Sequence, residues 1–182
     1  DWGVVDGLVY DSYEERVFDI DEVRKRKGVR SAFGLDFGYT NDPTALFCGL
    51  VDKGSRCIYV FDELYERGLT NNKIAEKIVG MGYAKERIIA DAAEPKSIAE
   101  LREAGLYRIH PSRKGKDSIN NGIQRIQDYH IIVHPRCVNF LMEISTYCWD
   151  RDKQTDQLIN KPVDYNNHLM DAMRYAVMDA VR

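Results

Sequence analysis

Three short apolar runs, separated by turn residues, open the patterned part of the chain. They are "RSAFGLDFGY", "TALFCGLV" and "RCIYVFDELY", joined by "TNDP" and "DKGS". Links this short predict an antiparallel meander of three strands. The period then changes. "TNNKIAEKIVGMG" predicts a helix capped by Thr70 or Asn71, with Ile74, Ile78 and Val79 on one face. "ERIIAD" reads as a short buried strand ending in Asp91, and Pro95 opens the helix "PKSIAELREAG", where a missing N–H costs little. "LYRIH" and "DSINNGIQRIQDY", then "HIIVHP" and "VNFLMEISTY", continue the strand–helix alternation. "CWDRDKQTDQLINKP" reads as a polar hairpin whose turn lacks glycine, and "DYNNHLMDAMRYAVMDAVR" as a closing helix with Asp164 at its N-cap. Strands in a meander followed by alternating helices and strands predict a mixed α/β sheet. Residues 1 to about 27 are mixed and end in the charged "DEVRKRKG", which suits a solvated connector or a partner-facing arm.

Composition narrows the class. The 182 residues suffice for one domain with a proper core. The net charge of −3, from 26 basic and 29 acidic side chains, argues against a stand-alone tight nucleic-acid binder. Cys48, Cys57, Cys137 and Cys148 show no C-x-x-C spacing, so they read as reduced, mostly core thiols rather than zinc ligands. No apolar run reaches membrane-spanning length, and no signal-peptide pattern is present. The chain begins at Asp1 in mid-pattern, as expected of a piece of a longer protein.

Three acids occupy positions that suit apolar residues. Asp36 lies inside the first strand, Asp91 closes a later one, and Asp171 sits among Leu169, Met170, Ala172 and Met173. An ionised carboxylate is costly to bury without a partner. Asp164, His168, Asp171 and Tyr175 form one polar stripe beside an apolar face of Leu169, Met173, Ala176 and Ala180. If the strands of Asp36 and Asp91 are neighbours, their backbones lie about 4.8 Å apart. Two carboxylates on one face would then raise each other's pKa unless a cation sits between them. A third carboxylate from a helix across the sheet completes an all-oxygen site suited to Mg²⁺ or Mn²⁺. Two such ions activate water and stabilise the leaving oxygen of a phosphodiester. His168 either orients a ligand or water, assists proton transfer, or is a hydrogen-bonded structural histidine. By strand alternation Asp36 shares its face with Gly34 and Gly38, opposite Phe33, Leu35, Phe37 and Tyr39, and glycines there leave room for a ligand or another backbone.

The segments "GLDFGYTNDPTAL", "YVFDELYERGLT", "IIADAAEPKSIAEL" and "HPSRKGKDSI" occur in that order. With the terminal "KPVDYNNHLMDAMRYA" and the D-x-G-x-x-x-D-P pattern from Asp36 to Pro43, the chain closely resembles the C-terminal nuclease domain of the large terminase subunit of tailed double-stranded DNA bacteriophages. The resemblance runs from about Trp2 to the end. It implies an RNase H-like (retroviral-integrase-like) α/β fold with a five-stranded mixed sheet of order 3-2-1-4-5 flanked by helices. A hairpin is added before the C-terminal helix. It places the family's catalytic, metal-holding acids on Asp36, Asp91 and Asp171, and its nearby histidine on His168. Residues 1–30 would be a connector from an N-terminal ATPase domain, and 31–182 the nuclease domain.

The implied function is metal-dependent cutting of concatemeric viral DNA during genome packaging, by an endonuclease of low sequence specificity using two Mg²⁺ or Mn²⁺ ions. The implied partners are double-stranded DNA and, for the full-length protein, the ATPase domain, the small terminase subunit and the procapsid portal, in the cytoplasm of the infected bacterial host. The chain has no G-x-x-x-x-G-K-[ST] loop, so it is expected to cut DNA without hydrolysing ATP. Arg108, Arg113, Lys114 and Lys116 crowd one stretch that reads as a phosphate-contacting edge or a solvated loop. The family's "DE" pair falls on Asp62 and Glu63, which a solvent-facing strand end explains equally well, and the hairpin near Asp152 to Lys161 is expected to shape access to the site. A resolvase or transposase core would use the same acids. "GLDFGYTND" also resembles the first phosphate loop of actin-like and Hsp70-like ATPases, but "FCGLVDKGS" makes a poor second loop. In a non-enzymatic adaptor the acids would be merely structural.

Overall fold

The computed structural model describes residues 6–39, 41–115 and 117–182. In chain order they form β1 (Tyr13–Glu15), α1 (Ile20–Arg24), β2 (Val29–Asp36), β3 (Thr44–Asp52), β4 (Cys57–Glu66) and α2 (Asn71–Gly80). There follow β5 (Ile88–Ala90), α3 (Pro95–Glu103), β6 (Ile109–Pro111), α4 (Ser118–Gln127), β7 (His130–Val133) and α5 (Val138–Thr146). The chain closes with β8 (Trp149–Arg151), β9 (Leu158–Pro162) and α6 (His168–Ala180).

Seven strands form one sheet in the order β1-β7-β4-β3-β2-β5-β6. The run β4-β3-β2-β5-β6 is the RNase H-like order expected from the sequence, with an antiparallel meander and two parallel strands beyond β2. β7 and β1 lengthen the β4 edge, both in parallel register, so the sheet has seven strands and not five. β3 is buried at every position, as a central strand covered on both faces must be.

Side-chain alternation splits the core into two layers. Phe33 and Leu35 of β2 and Leu46 and Leu50 of β3 pack with Ile74, Ile78, Ile98 and Leu101 from α2 and α3. Phe47 and Val51 of β3 pack on the opposite face with Phe140, Ile144, Leu169, Met173 and Val177 from α5 and α6. Each fully buried side chain of this size contributes roughly 1.5–3 kcal/mol. Val79 lies outside the α2 core face and is 46% exposed; Ala75 takes its place beside Ile74 and Ile78. Thr70 is the α2 N-cap, its hydroxyl accepting from Lys73 N–H at 3.2 Å.

Residues 1–5 of the expected connector lie outside the described residues. From Gly7 onward the described part is built into the domain: Gly7 C=O accepts from Trp149 N–H, β1 pairs with β7, and Val9, Tyr10 and Val23 are buried. All four cysteines are free, with Cys48 and Cys137 buried and Cys57 and Cys148 half-buried. No helix among the described residues is long and apolar enough to cross a membrane.

β3 and β4 change register between Cys48 and Gly49, which leaves Phe61 as an extra residue in β4. The bulge inverts the alternation beyond it. Tyr59 and Phe61 face the α2–α3 layer, whereas Tyr65 packs into the α5–α6 layer. An unbroken strand would put Tyr59, Phe61, Glu63 and Tyr65 on one face.

Candidate metal centre

Parallel pairing of β2 with β5 sets Leu35 against Ala90, so Asp36 and Asp91 take the next register position on one face. Asp91 N–H donates to Leu35 C=O at 3.3 Å, which carries the register to Asp91. Both acids thus stand at the carboxyl ends of neighbouring parallel strands, where open α/β sheets place their ligands. β2 stops at Asp36, so Phe37 to Tyr39 belong to the link and not to the strand. Asp91 opens the turn into α3, its Oδ1 accepting from Ala93 N–H at 2.9 Å.

α6 lies across this face and brings His168 and Asp171. The helix seats there because β2 has glycine at 34: a Cβ on Gly34 would stand 1.9 Å from the Ala172 carbonyl oxygen. A Cβ on Gly38 would meet the Asp42 carbonyl at 2.3 Å. Both glycines therefore admit backbone, and the space expected beside Asp36 is filled by α6 and by the β2–β3 link. The helix begins at His168 with Asn167 as N-cap, so Asp164, the expected cap and first member of the stripe, lies outside it, three residues before the N-cap.

His168 Nδ1 lies 3.2 Å from Asp36 Oδ2, and its Nε2 faces Asp42 Oδ1 at 3.6 Å. Asp171 Oδ1 accepts from the Arg174 guanidinium at 3.2 Å. Burial raises the Asp36 carboxyl above its ordinary range, against the lowering effect of the His168 hydrogen bond, and the charge of Asp91 adds to the rise. Burial likewise pushes Asp171 up to about 7, with Arg174 opposing and the Asp36 charge reinforcing the rise. The hydrogen bond to Asp36 raises His168. Asp36 thus feels both other acids, and burial leaves Asp36 and Asp171 short of positive charge. Such hard oxygen donors fit a divalent cation such as Mg²⁺ or Mn²⁺ by chemistry. Among the described residues, however, no three His, Cys, Asp or Glu side chains are already drawn into a closed metal cluster.

Two acids have supporting roles that the sequence does not display: Glu63, which reads equally well as a solvent-facing strand end, and Glu143. Neither Cys137 at the start of α5 nor Asn167 at the start of α6 caps its helix with a side chain. Glu63 of β4 serves α5, accepting from Phe140 N–H at 2.8 Å and Asn139 N–H at 3.1 Å. Glu143 of α5 serves α6, its Oε1 accepting from Leu169 N–H at 2.7 Å and Met170 N–H at 3.2 Å. Tyr65 O–H donates to Glu143 Oε2 at 2.8 Å. Glu143 is completely buried, and burial raises its pKa against these three donors. Its one sequence signal is an acid between Phe140 and Ile144 on the apolar face of "VNFLMEIST". Asp62 accepts from Tyr83 O–H, so neither member of the "DE" pair is a solvent-facing strand end.

Arg113 and Lys114 follow β6 and line a cleft of about 330 Å³ together with Arg125 of α4 and Arg174 of α6. Arg108 turns away and donates to Lys85 C=O, and Lys116 lies outside the described residues. The hairpin of β8 and β9 forms as expected, with Asp152 accepting two turn N–H groups and Asp156 taking the left-handed conformation that a glycine would favour. It rests on the start of α4, where Asn120 donates to Asn160 C=O at 3.2 Å.

The strand order and the acids at the ends of β2 and β5, faced by a third on α6, define an RNase H-like α/β domain. A family model described as "Terminase RNAseH like domain" matches residues 36–179, and the chain belongs to that family. It is 36% identical over 166 residues to the terminase large subunit of Bacillus phage SPP1, covering 90% of this chain and 39% of that protein. It is 30% identical over 147 residues to the PBSX phage terminase large subunit of Bacillus subtilis strain 168, covering 80% and 34%. The chain therefore spans about two fifths or less of these relatives. The crystal structure of the large terminase nuclease domain of bacteriophage SPP1 with bound Mn matches with a TM-score of 0.85 at 31% identity, covering 94% of this chain and 98% of that one.

Proposed function

We propose that the chain is the DNA-cutting part of a large terminase, a metal-dependent endonuclease that hydrolyses phosphodiester bonds during genome packaging. The observation that carries this reading is the placing of Asp36 and Asp91 at one register position on the face where α6 presents His168 and Asp171. The SPP1 nuclease domain, similar over nearly its whole length, was solved with Mn.

Asp36, Asp91 and Asp171 would hold the cations, two in number. When bound, such ions lower the pKa of water and offset the charge that builds on the phosphate. The chain's own residues supply the frame. β2 and β5 fix Asp36 and Asp91 on rigid strands, and α6 fixes Asp171. With Nδ1 3.2 Å from Asp36 Oδ2, His168 would hold its proton on that nitrogen and orient the carboxylate. In the longer protein, an ATPase domain, the small terminase subunit and the portal of the procapsid would bring DNA to this site. The setting would be the cytoplasm of the infected bacterium.

The test is supercoiled plasmid incubated with the chain and Mn²⁺ or Mg²⁺, beside Asp36→Asn, Asp91→Asn and Asp171→Asn. Nicking and linearisation by the wild type and their loss in the folded variants are expected. Undiminished cutting by all three folded variants would overturn the assignment. Unchanged cleavage by His168→Ala would return that histidine to a structural role.

A further inference from the structure

The cleft beside the carboxylates concentrates positive charge. The chain is acidic overall, at −3. Five basic side chains nevertheless converge on this one space: Arg113, Lys114, Arg125, Arg174 and Arg182, against the single acid Asp179. Asp179 is engaged by Arg182 and, bidentately, by Arg87 at 2.9 and 3.0 Å. Arg174 is engaged by Asp171. Arg125 spends one N–H on the Val181 carbonyl and has no carboxylate within ion-pair distance among the described residues. Arg113 and Lys114 likewise have none. Three cations in one concave space are therefore left uncompensated.

Their placement gives the ligand. The cleft is lined by Ile89 of β5, two residues before Asp91, and along its wall by α6 from Arg174 to Asp179, with Val181 and Arg182 just past the helix end. Along α6, Asp171 to Met178 covers about 10 Å at 1.5 Å per residue. One strand of duplex DNA advances about 3.4 Å per nucleotide. The far part of the cleft thus lies about three nucleotides from the acids along one strand. Arg174 stands between them, with one N–H on Asp171 and its stem in the cleft wall.

We infer that this cleft between the β6–α4 loop, α4 and α6 seats the backbone phosphates of one DNA strand a few nucleotides to one side of the cut. Arg113, Lys114 and Arg125 are the groups that neutralise them. The inference rests on the nuclease reading and deepens it. Contacts of this kind position a strand without reading its sequence, and an acidic chain with one basic seat binds DNA locally and modestly.

The experiment measures binding of a fluorescent 30-base-pair duplex in EDTA, where no cutting occurs, across a salt series, and plasmid cutting in Mn²⁺ separately. Arg113→Ala, Lys114→Ala and Arg125→Ala are each expected to weaken binding several-fold and to reduce the salt slope by about 0.9 per lost phosphate contact. Lys53→Ala, in the β3–β4 turn at the other end of the sheet, is expected to change neither. Equal affinity and equal slope for the triple variant and the wild type would overturn the cleft, while intact cutting by the wild type would leave the nuclease reading standing. Cleft-dependent binding with no cutting by the wild type would uphold the cleft and overturn the nuclease reading. Loss of dAMP binding at matched ionic strength, with duplex binding unchanged, would make the cleft a small-anion site and overturn the inference.

Discussion

Glu143 Oε1 lies 2.7 Å from the Leu169 amide nitrogen, joining a completely buried carboxylate to the first turn of the helix that presents His168 and Asp171. The bond does the work of an N-cap, but it reaches across 26 residues of sequence. Glu143→Ala leaves two helix N–H groups and the Tyr65 hydroxyl without their acceptor. The expected cost is about 2–4 kcal/mol of stability, measured by urea unfolding. Cutting is expected to fall further than stability accounts for, because α6 loses its fixed start. Glu143→Gln keeps an acceptor oxygen and is expected to recover most of both.

Gly34→Ala drives a methyl into the carbonyl of Ala172, which as helix backbone cannot swing aside. A loss of about 3 kcal/mol is expected, at the upper end of overpacking costs, and α6 must lift away from the Asp36 face. The check is thermal unfolding together with plasmid cutting. Gly80→Ala has open space around its Cβ at the end of α2, so a gain of up to about 1 kcal/mol with unchanged cutting is expected there.

Divalent cations are expected to stabilise the chain through the same acids. Binding to the folded state alone at a hundred times the dissociation constant adds about 2.7 kcal/mol. For a domain of this size that raises Tm by roughly 5–10 °C. Differential scanning fluorimetry with and without Mn²⁺ measures it, and both Asp36→Asn and Asp171→Asn are expected to shrink the shift. An equal shift in both variants would place the bound ion elsewhere.

The last turn of α6 is tied to the start of β5 by Arg87 and Asp179. The hydrogen bond to Arg87 lowers the Asp179 carboxyl below its ordinary value. A carboxyl depressed in the folded state contributes stability above its unfolded pKa and loses it as pH falls through the folded one. The pair is partly exposed, so the contribution is at most about 1 kcal/mol. Asp179→Asn is expected to lower Tm slightly at pH 7 and to converge with the wild type as the pH falls below the ordinary carboxylate range and through the depressed folded pKa. Parallel pH–Tm curves would show that the pair contributes nothing.

The sequence made the meander, the alternation and the three acids legible because each has a local signature: turn residues between apolar runs, a period change, and a charge in the wrong company. Other features depend on pairings that no window displays. β1 was hidden because "YEE" has no apolar pattern of its own and becomes a strand by pairing with β7. The start of α6 was misplaced because its cap is supplied by Glu143 from another helix, so no local residue marks it. Gly34 marks room for a ligand or another backbone without saying which, because alternation gives its face and not its neighbour, here the backbone of α6. The basic stretch after β6 was visible, but Arg125 and Arg174 join it only through tertiary packing.

The extra residue at Phe61 has a consequence for how this strand tolerates change. Glu63 and Tyr65 reach the caps of α5 and α6 because the one extra residue of β4 is bulged out opposite the Cys48–Gly49 step, so that both keep Phe47 and Ala45 as partners. Deletion of Phe61 would close the strand into regular pairing, Val60 and Asp62 keeping Gly49 and Cys48 opposite, and every later position of β4 would stay on its present face. An extra residue inserted after Asp62 would instead turn Glu63 and Tyr65 to the opposite helical layer. This stretch should therefore tolerate loss of its bulge far better than a second insertion.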